Sequence, residues 1–407
     1  MVDRSASLGS AFWRFWGASA LANIGDGIRV AAFPLLAAAL SDSPVGVAAV
    51  AAAQFLPWLV TGLLAGSLAD RRGARSLIVA ADTARVAVLL TLVVAVATGR
   101  ATIGLVVVAA FLLGVGETVR DTAAQTAIPR LVRDDQLEKA NGRLVAGEIV
   151  GNEFVGPPVG ALLFVVGAAL PFAVNGASLA LAVMLVLSLP LTLTRGAGGT
   201  SGPQPAAEPT DAGVLAGMRW LLANPVMRAL VLVVAAVGAA DSAWFAIFVL
   251  YARDSLGLGA VGFGLLLATG AAGGLLGSFA ADRLIARFAH RTVLAWSLAV
   301  TAGVPVLLVT APNRWAAATV VVTTSASFAV LNVAALSIRQ RTVPANLLGR
   351  VVAASRTLTY ATAALGALLG GALAGALGAQ APFLFSGLVA VLATAGWWSA
   401  SRASRPA

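Results

Sequence analysis

Cysteine is absent from this 407-residue chain, histidine occurs once and lysine once. Without cysteine there is no disulfide framework and no thiol chemistry. The single His290 cannot build a metal site alone, so no metal is expected. Charge is also scarce: 11% of residues are Asp, Glu, Lys or Arg, against about 25% in soluble domains. Period-two alternation is missing from the long Ala/Leu/Val runs, which excludes a transmembrane barrel and leaves helices. No Walker A sequence occurs, so no ATP-driven cycle and no cofactor are expected. The glycines of Gly270–Gly277 and Gly366–Gly375 lie inside apolar runs with no strand before them, so they read as helix-packing positions rather than phosphate cradles.

What remains is overwhelmingly apolar, at 59% with a mean hydropathy of +0.92. At about 20 residues per span and with short loops, such a chain holds roughly twelve helices. The expected fold is an all-α membrane protein of twelve transmembrane helices in two six-helix bundles. A net charge of +10 does not point to nucleic acid, because the arginines sit in short loops between apolar runs. Of 27 Lys and Arg, only Arg100, Arg253 and Arg314 fall on one side, Arg29 lies within a span, and the remaining 23 gather on the other. That asymmetry places both termini in the cytoplasm and requires an even number of spans. Ala18-Ser19-Ala20 matches a small-x-small cleavage pattern, but apolar sequence continues to Leu40, so the first span is expected to stay uncleaved.

The spans are expected near 12–40, 45–69, 76–98, 102–127, 140–166 and 171–192, then 226–251, 257–281, 292–310, 315–338, 351–377 and 382–399. A Gly/Pro/Ser/Thr-rich linker fills 195–213, followed by a surface helix over 214–224 with Met218, Trp220 and Leu221 against the membrane. The domains are therefore 1–194 and 225–407, joined by a cytoplasmic linker over 195–224.

The chain is organised around the stretch Gly62–Arg75, where an apolar helix ends at Ala69 and Asp70-Arg71-Arg72-Gly73-Ala74-Arg75 makes a charged turn. Gly62 and Gly66 give the outgoing helix a small-xxx-small face. Gly274-Leu275-Leu276 and Asp282-Arg283 repeat Gly62-Leu63-Leu64 and Asp70-Arg71 at an offset of 212. Ile128-Pro129 and Val343-Pro344 repeat at 215. Two related halves are built around the same hairpin. Gly66, Asp70, Arg71, Gly73 and Arg75 resemble the signature loop of the major facilitator superfamily, G-x-x-x-D-R-x-G-R-R, with Ala74 and Ser76 departing from it. The resemblance implies a latch in which the loop arginines meet acids such as Asp82 and Asp121. A positive-inside loop without a gating role is the plainer alternative.

Ionisable groups within spans are costly, about 3 kcal/mol or more at mid-bilayer, so each is a functional candidate. At about 1.5 Å per residue, Asp26, Glu117 and Asp241 lie at or beyond the bilayer middle. By resemblance to the superfamily they belong to the first, fourth and seventh spans, three of the four that line the central cavity. The tenth contributes Ser325, Ser327 and Asn332. Asp26 with Arg29, and Glu117 with Arg120, are each three apart on one helical face, so internal ion pairs are available. These pairs are either structural or part of transport. Asp241 has no charged neighbour within a turn and is either a hydrated cap or a proton carrier. Glu153 lies deeper in the fifth span than Glu148, beside Asn152 and the Gly156-Pro157-Pro158 break. Gly151, Gly156, Pro157 and Gly160 loosely resemble the antiporter motif of the superfamily, with one residue of extra spacing and Ala161 in place of the last glycine. These small residues are expected to pack the helix closely against the opposite half.

Three further stretches, 23–36, 127–142 and 217–228, are similar to the drug:proton antiporter branch that contains macrolide exporters and the enterobactin exporter. The resemblance implies a plasma-membrane secondary transporter, not an enzyme. It would work by alternating access and export an apolar or amphipathic small molecule against protons, with Phe, Trp and Met side chains lining the pocket. A siderophore or nutrient transporter of the same fold, facilitative rather than proton-coupled, is the alternative. The expected partners are a small-molecule substrate, protons and the lipid bilayer, with no nucleic acid, and the expected state is a monomer. An alanine- and arginine-rich composition suggests a GC-rich bacterial source.

Overall fold

A computed structural model describes residues 8–59, 73–189, 211–344 and 347–403. Every regular element among them is helical: α1 (Ser10–Leu40), α2 (Pro44–Phe55), α3 (Ala74–Ala97), α4 (Ile103–Ala127), α5 (Leu137–Val166), α6 (Leu170–Leu187), α7 (Asp211–Ala223) and α8 (Pro225–Asp254). Then come α9 (Ala260–Arg287), α10 (His290–Thr310), α11 (Arg314–Thr342), α12 (Leu348–Leu377) and α13 (Ala381–Ala403). Eleven helices among the described residues are long and apolar enough to cross a membrane, and the run Pro44–Leu59 is apolar but shorter. Of the signature stretch, Gly66, Asp70 and Arg71 lie outside the described residues.

The helix starts follow local chemistry. Asn224 accepts hydrogen bonds from the Val226 and Met227 amides with Pro225 next in line, and Asn313 does the same for Trp315 and Ala316. Both satisfy amides that a helix start leaves free. Gly73 precedes α3 at φ 78°, a left-handed conformation that explains a glycine at this point of the signature loop.

The chain forms two compact units: residues 1–36 with 57–201, and residues 37–56 with 202–407. In the first, α3 packs on α4 and α6, and Phe12 and Phe15 join Leu77, Ile78, Ala123 and Val186 in one apolar core. In the second, α9 packs on α11 and α8 on α12, while α2 lies along α12. The end of α1 and the whole of α2 thus belong with the second unit. Arg253 holds them there by donating to the Ala38 carbonyl at 2.8 Å and to Asp42 at 2.9 Å.

Three boundaries differ from those read in the sequence. Helix α9 continues to Arg287, so Asp282 and Arg283 lie in its last turns and not in a loop. The apolar run ends at Ala281, but Leu284 and Ile285 still pack on the core and hold the helix together. Helix α5 begins at Leu137, inside what reads as a polar loop, because Ala140 is fully buried. Nor does Gly156-Pro157-Pro158 break it. A π-helical stretch over Ile149–Val155 runs directly into Gly156–Val166, and this local adjustment accommodates the prolines within the helix.

Candidate functional site

A continuous ladder of ion pairs runs through the first unit. Arg29 Nη2 donates to Glu117 at 2.5 Å and to Asp26 at 3.3 Å. Asp26 also accepts from Arg85, whose other nitrogen meets Asp82 at 3.3 Å. Arg120 closes the series, 3.1 Å from Asp82 and 3.6 Å from Asp121. The path leaves α4 at Glu117, crosses α1 and α3, and returns to α4 one turn further on. Its five inner members are at most 6% exposed, while the terminal side chains Glu117 and Asp121 are 27% and 39% exposed.

Arginine keeps its proton in proteins, so the fully ionised ladder holds three positive and four negative charges. Buried ions need partners, and here every inner carboxylate lies between two guanidinium groups. The Nε–H groups of Arg29 and Arg85 are buried with no acceptor in range, which leaves donor capacity inside the ladder. Arg120 additionally donates to the Ala18 carbonyl at 3.4 Å, tying α4 to α1. Gly116 makes room for this arrangement: a Cβ there would lie 2.5 Å from Arg85 Cγ.

The candidates therefore come together, though not with the partners their spacing suggests. Asp26 and Arg29 do pair. Glu117 bonds Arg29 rather than Arg120, because Arg120 turns inward to Asp82. Of the signature-loop residues described, Arg75 does not reach Asp82 or Asp121. Its Nε donates to the Val186 carbonyl at 3.1 Å and its Nη2 to that of Leu187, at the end of α6. A cation there complements the carbonyls and partial negative charge of a helix C-terminus. Asp82 and Arg85 are the residues that sequence reasoning undervalued. Their position three apart near a span end was the available signal.

The antiporter-like glycines also face an unexpected neighbour. A Cβ on Gly160 would lie 2.2 Å from the Ile28 carbonyl, and one on Gly156 2.4 Å from the Gly27 backbone. Gly151 meets Asn23 and Ile24. These residues seat α5 on α1 within their own unit, not against the opposite half, and Pro157 is buried in the same seam. The first helix carries Asp26 and Arg29 immediately beside this crossing. Glu153 is exposed and makes no ion pair among the described residues.

The second unit repeats the glycine-seated crossing. Gly366 and Gly370 seat α12 on α8 at the carbonyls of Ala239 and Ala243, as Gly156 and Gly160 seat α5 on α1. The offset of 215 that pairs Ile128-Pro129 with Val343-Pro344 carries Asp26 to Asp241, Arg29 to Trp244 and Glu117 to Asn332. Asp241 is half-buried and has no ion-pair partner among the described residues. Trp244 is buried among Phe248 and Phe383, with ring centroids 5.3 and 6.0 Å away. Asn332 is exposed and donates to the Phe328 carbonyl of its own helix at 3.1 Å. Among the described residues Asp282 and Arg283 make no ion pair, although Arg283 donates to the Phe279 carbonyl at 3.1 Å.

Comparison with known proteins agrees with this architecture. The family described as transmembrane secretion effector matches residues 6–401. The multidrug efflux pump Tap of Mycolicibacterium fortuitum is 29% identical over 381 residues, covering 90% of each chain. Its namesake in Mycobacterium tuberculosis (strain ATCC 25618 / H37Rv) is 28% identical over 394 residues, covering 94% of this chain and 91% of its own. Among solved structures, a bacterial homologue of the iron transporter ferroportin in an inward-facing state has a TM-score of 0.79 at 16% identity, covering 98% of this chain and all of its own. The nucleoside transporter NupG has a TM-score of 0.78 at 12% identity, covering 97% of this chain and all of its own. At these identities the solved structures speak for the fold alone.

Proposed function

Because the chain belongs to the transmembrane secretion effector family, a branch of the major facilitator transporters, we propose that it exports an apolar or amphipathic small molecule in exchange for protons. It is a multi-pass membrane transporter and not an enzyme. In the proposed arrangement twelve spans form two six-helix bundles, with both termini in the cytoplasm of the producing cell. The chain acts as a monomer in the plasma membrane by alternating access.

The observation that carries the reading is the odd charge of the buried ladder. Four acids against three arginines leave one negative charge in a low-dielectric interior, and a single proton removes it. Asp26 and Asp82 each bind two arginines, so protonating either breaks two pairs. Glu117 and Asp121 hold one arginine each, lie four apart on one helical face and are the solvent-reachable ends. They are the proposed proton seats, with Asp26 a fixed anion between Arg29 and Arg85. A neutral ladder costs less to carry through a closed, dry intermediate than a charged one, which couples the proton to the change of state. Asp241, which has no ion-pair partner among the described residues, is the proposed acidic group of the second unit.

The test is accumulation of a fluorescent lipophilic cation in cells expressing the protein, with and without a protonophore. The parent should lower accumulation, and the protonophore should abolish the effect. Glu117→Gln/Asp121→Asn should remove protonophore sensitivity. A double variant that still drives protonophore-sensitive efflux would refute the proton seats. Transport that ignores the protonophore in the parent would favour the facilitative nutrient or siderophore carrier.

A further inference from the structure

The second unit has a groove of about 350 Å³ between α9, α10 and α11, bounded by Leu276, Gly277, Ala280, Trp296, Ala326 and Val330. Small residues make it: Gly277 rests on the Ala326 carbonyl, which leaves a furrow beside Ala280. Its floor is effectively apolar, because Ser327 Oγ already donates to the Ser297 carbonyl at 3.1 Å. Leu276 and Trp296 at its lips are 63% and 52% exposed. In a membrane chain, such exposed large apolar side chains face lipid.

Leu284 and Val293 of the groove flank the junction of α9 and α10, which carries Arg283, Arg287, His290 and Arg291 against the single acid Asp282. None of these cations forms an ion pair with an acid among the described residues. Arg287 lies 5.9 Å from the Phe288 ring centroid, and Phe288 meets Trp296 edge-on at 5.0 Å. Arg283 and Arg287 follow Leu276 by seven and eleven residues, about two and three turns along the same face of α9, and Phe288 links Arg287 to Trp296 at the groove's lip.

We propose that this face holds an anionic phospholipid, one acyl chain in the furrow and the phosphate on Arg283, Arg287 and Arg291. With the topology proposed above, the lipid belongs to the cytoplasmic leaflet. A lipid tail gains little by leaving other tails for a protein surface, so the furrow fixes position and the headgroup charge decides preference. Each basic residue near an anionic membrane surface favours the anion by about 1 kcal/mol, or roughly fivefold. The cluster therefore selects phosphatidylglycerol over phosphatidylcholine and is not tuned to a neutral substrate.

The test uses the full-length protein purified into micelles containing equal dioleoylphosphatidylglycerol and dioleoylphosphatidylcholine, with retained lipids counted by native mass spectrometry. The parent should keep one phosphatidylglycerol at least about fivefold over phosphatidylcholine. Arg283→Gln/Arg287→Gln should bring that ratio close to one, and Ala280→Phe should expel the retained lipid by filling the furrow. Equal retention of both lipids by the parent would overturn the proposal, as would an Ala280→Phe variant that is monodisperse and still binds. Should Ala280→Phe misfold, the arginine variant decides alone. If Ala280→Phe instead removes binding of a lipophilic dye and leaves phosphatidylglycerol in place, the groove takes substrate and the lipid site is wrong. Because lipid retention is read without transport, failure here leaves the export reading standing, and the reverse also holds.

Discussion

Replacing Arg85 with methionine tests whether the ladder is held together as a unit. Its side chain is fully buried and joins Asp26 to Asp82, the latter at 3.3 Å. Removing it leaves four acids with two cations, and breaking a buried pair in this way costs about 3–5 kcal/mol. For a unit of this size the loss corresponds to a fall in unfolding temperature on the order of 10 °C. Asp82→Asn added to Arg85→Met returns the ladder to one excess negative charge. Asp26 stays paired with Arg29, and Asp121 with Arg120. At least about 2 kcal/mol should therefore be recovered as coupling between neighbours. Arg133 and Asp135 supply the control: their side chains are 64% and 52% exposed at 3.1 Å, so Arg133→Gln should cost under about 1 kcal/mol. Thermal unfolding of each variant in mild detergent, followed by tryptophan fluorescence, gives the comparison. If the double variant loses the sum of the two single penalties, the ladder is a set of independent contacts, and the charge argument fails with it.

Neighbouring glycines in α9 should behave oppositely. A Cβ at Gly277 would lie 2.1 Å from the Ala326 carbonyl, whereas at Gly274 nothing lies within 4 Å. Gly277→Ala should cut the yield of monodisperse protein sharply, and Gly274→Ala should leave it unchanged; equal yields would mean that α9 and α11 do not cross at Gly277. Gly116→Ala should displace Arg85 and reproduce part of the Arg85→Met loss in the same unfolding assay. Asp42→Ala should cost under about 1 kcal/mol because that carboxylate is 90% exposed, and a larger unfolding shift would show a clasp stronger than its exposure allows. Arg75→Gln should destabilise the first unit by about 1–3 kcal/mol through the α6 carbonyls it leaves bare, and no shift would mean that water replaces the guanidinium freely.

The helical, membrane-spanning character of the chain was legible because it is written in composition and in runs of about 20 apolar residues. Helix ends were less legible where the polar signal and the packing signal disagree. Asp282 and Arg283 look like a turn, yet Leu284 and Ile285 keep the helix going. The ladder was half legible. Spacing along one helix finds Asp26 with Arg29, but it cannot see that Arg85 enters from α3 or that Arg120 prefers Asp82 to Glu117. The glycines of the fifth span announced a close crossing and did not say with which helix, since a small-xxx-small face fits any partner whose backbone can approach.

The internal repeat sharpens what the ladder means. Both units seat one helix on another through glycines four apart, Gly156 and Gly160 in the first and Gly366 and Gly370 in the second. The glycine crossing forms in both units, so it does not itself depend on the ladder beside it in the first. In the second unit an aromatic cluster around Trp244 fills the place that Arg29 takes in the first. Charges that this crossing does not require, and that are costly to bury, call for another reason to be retained. Seven of them sit in one unit, with an odd balance and both ends within reach of solvent. Proton coupling, as proposed above, would supply such a reason, and on that reading the ladder of the first unit carries the proton seats while Asp241 is the candidate acid of the second.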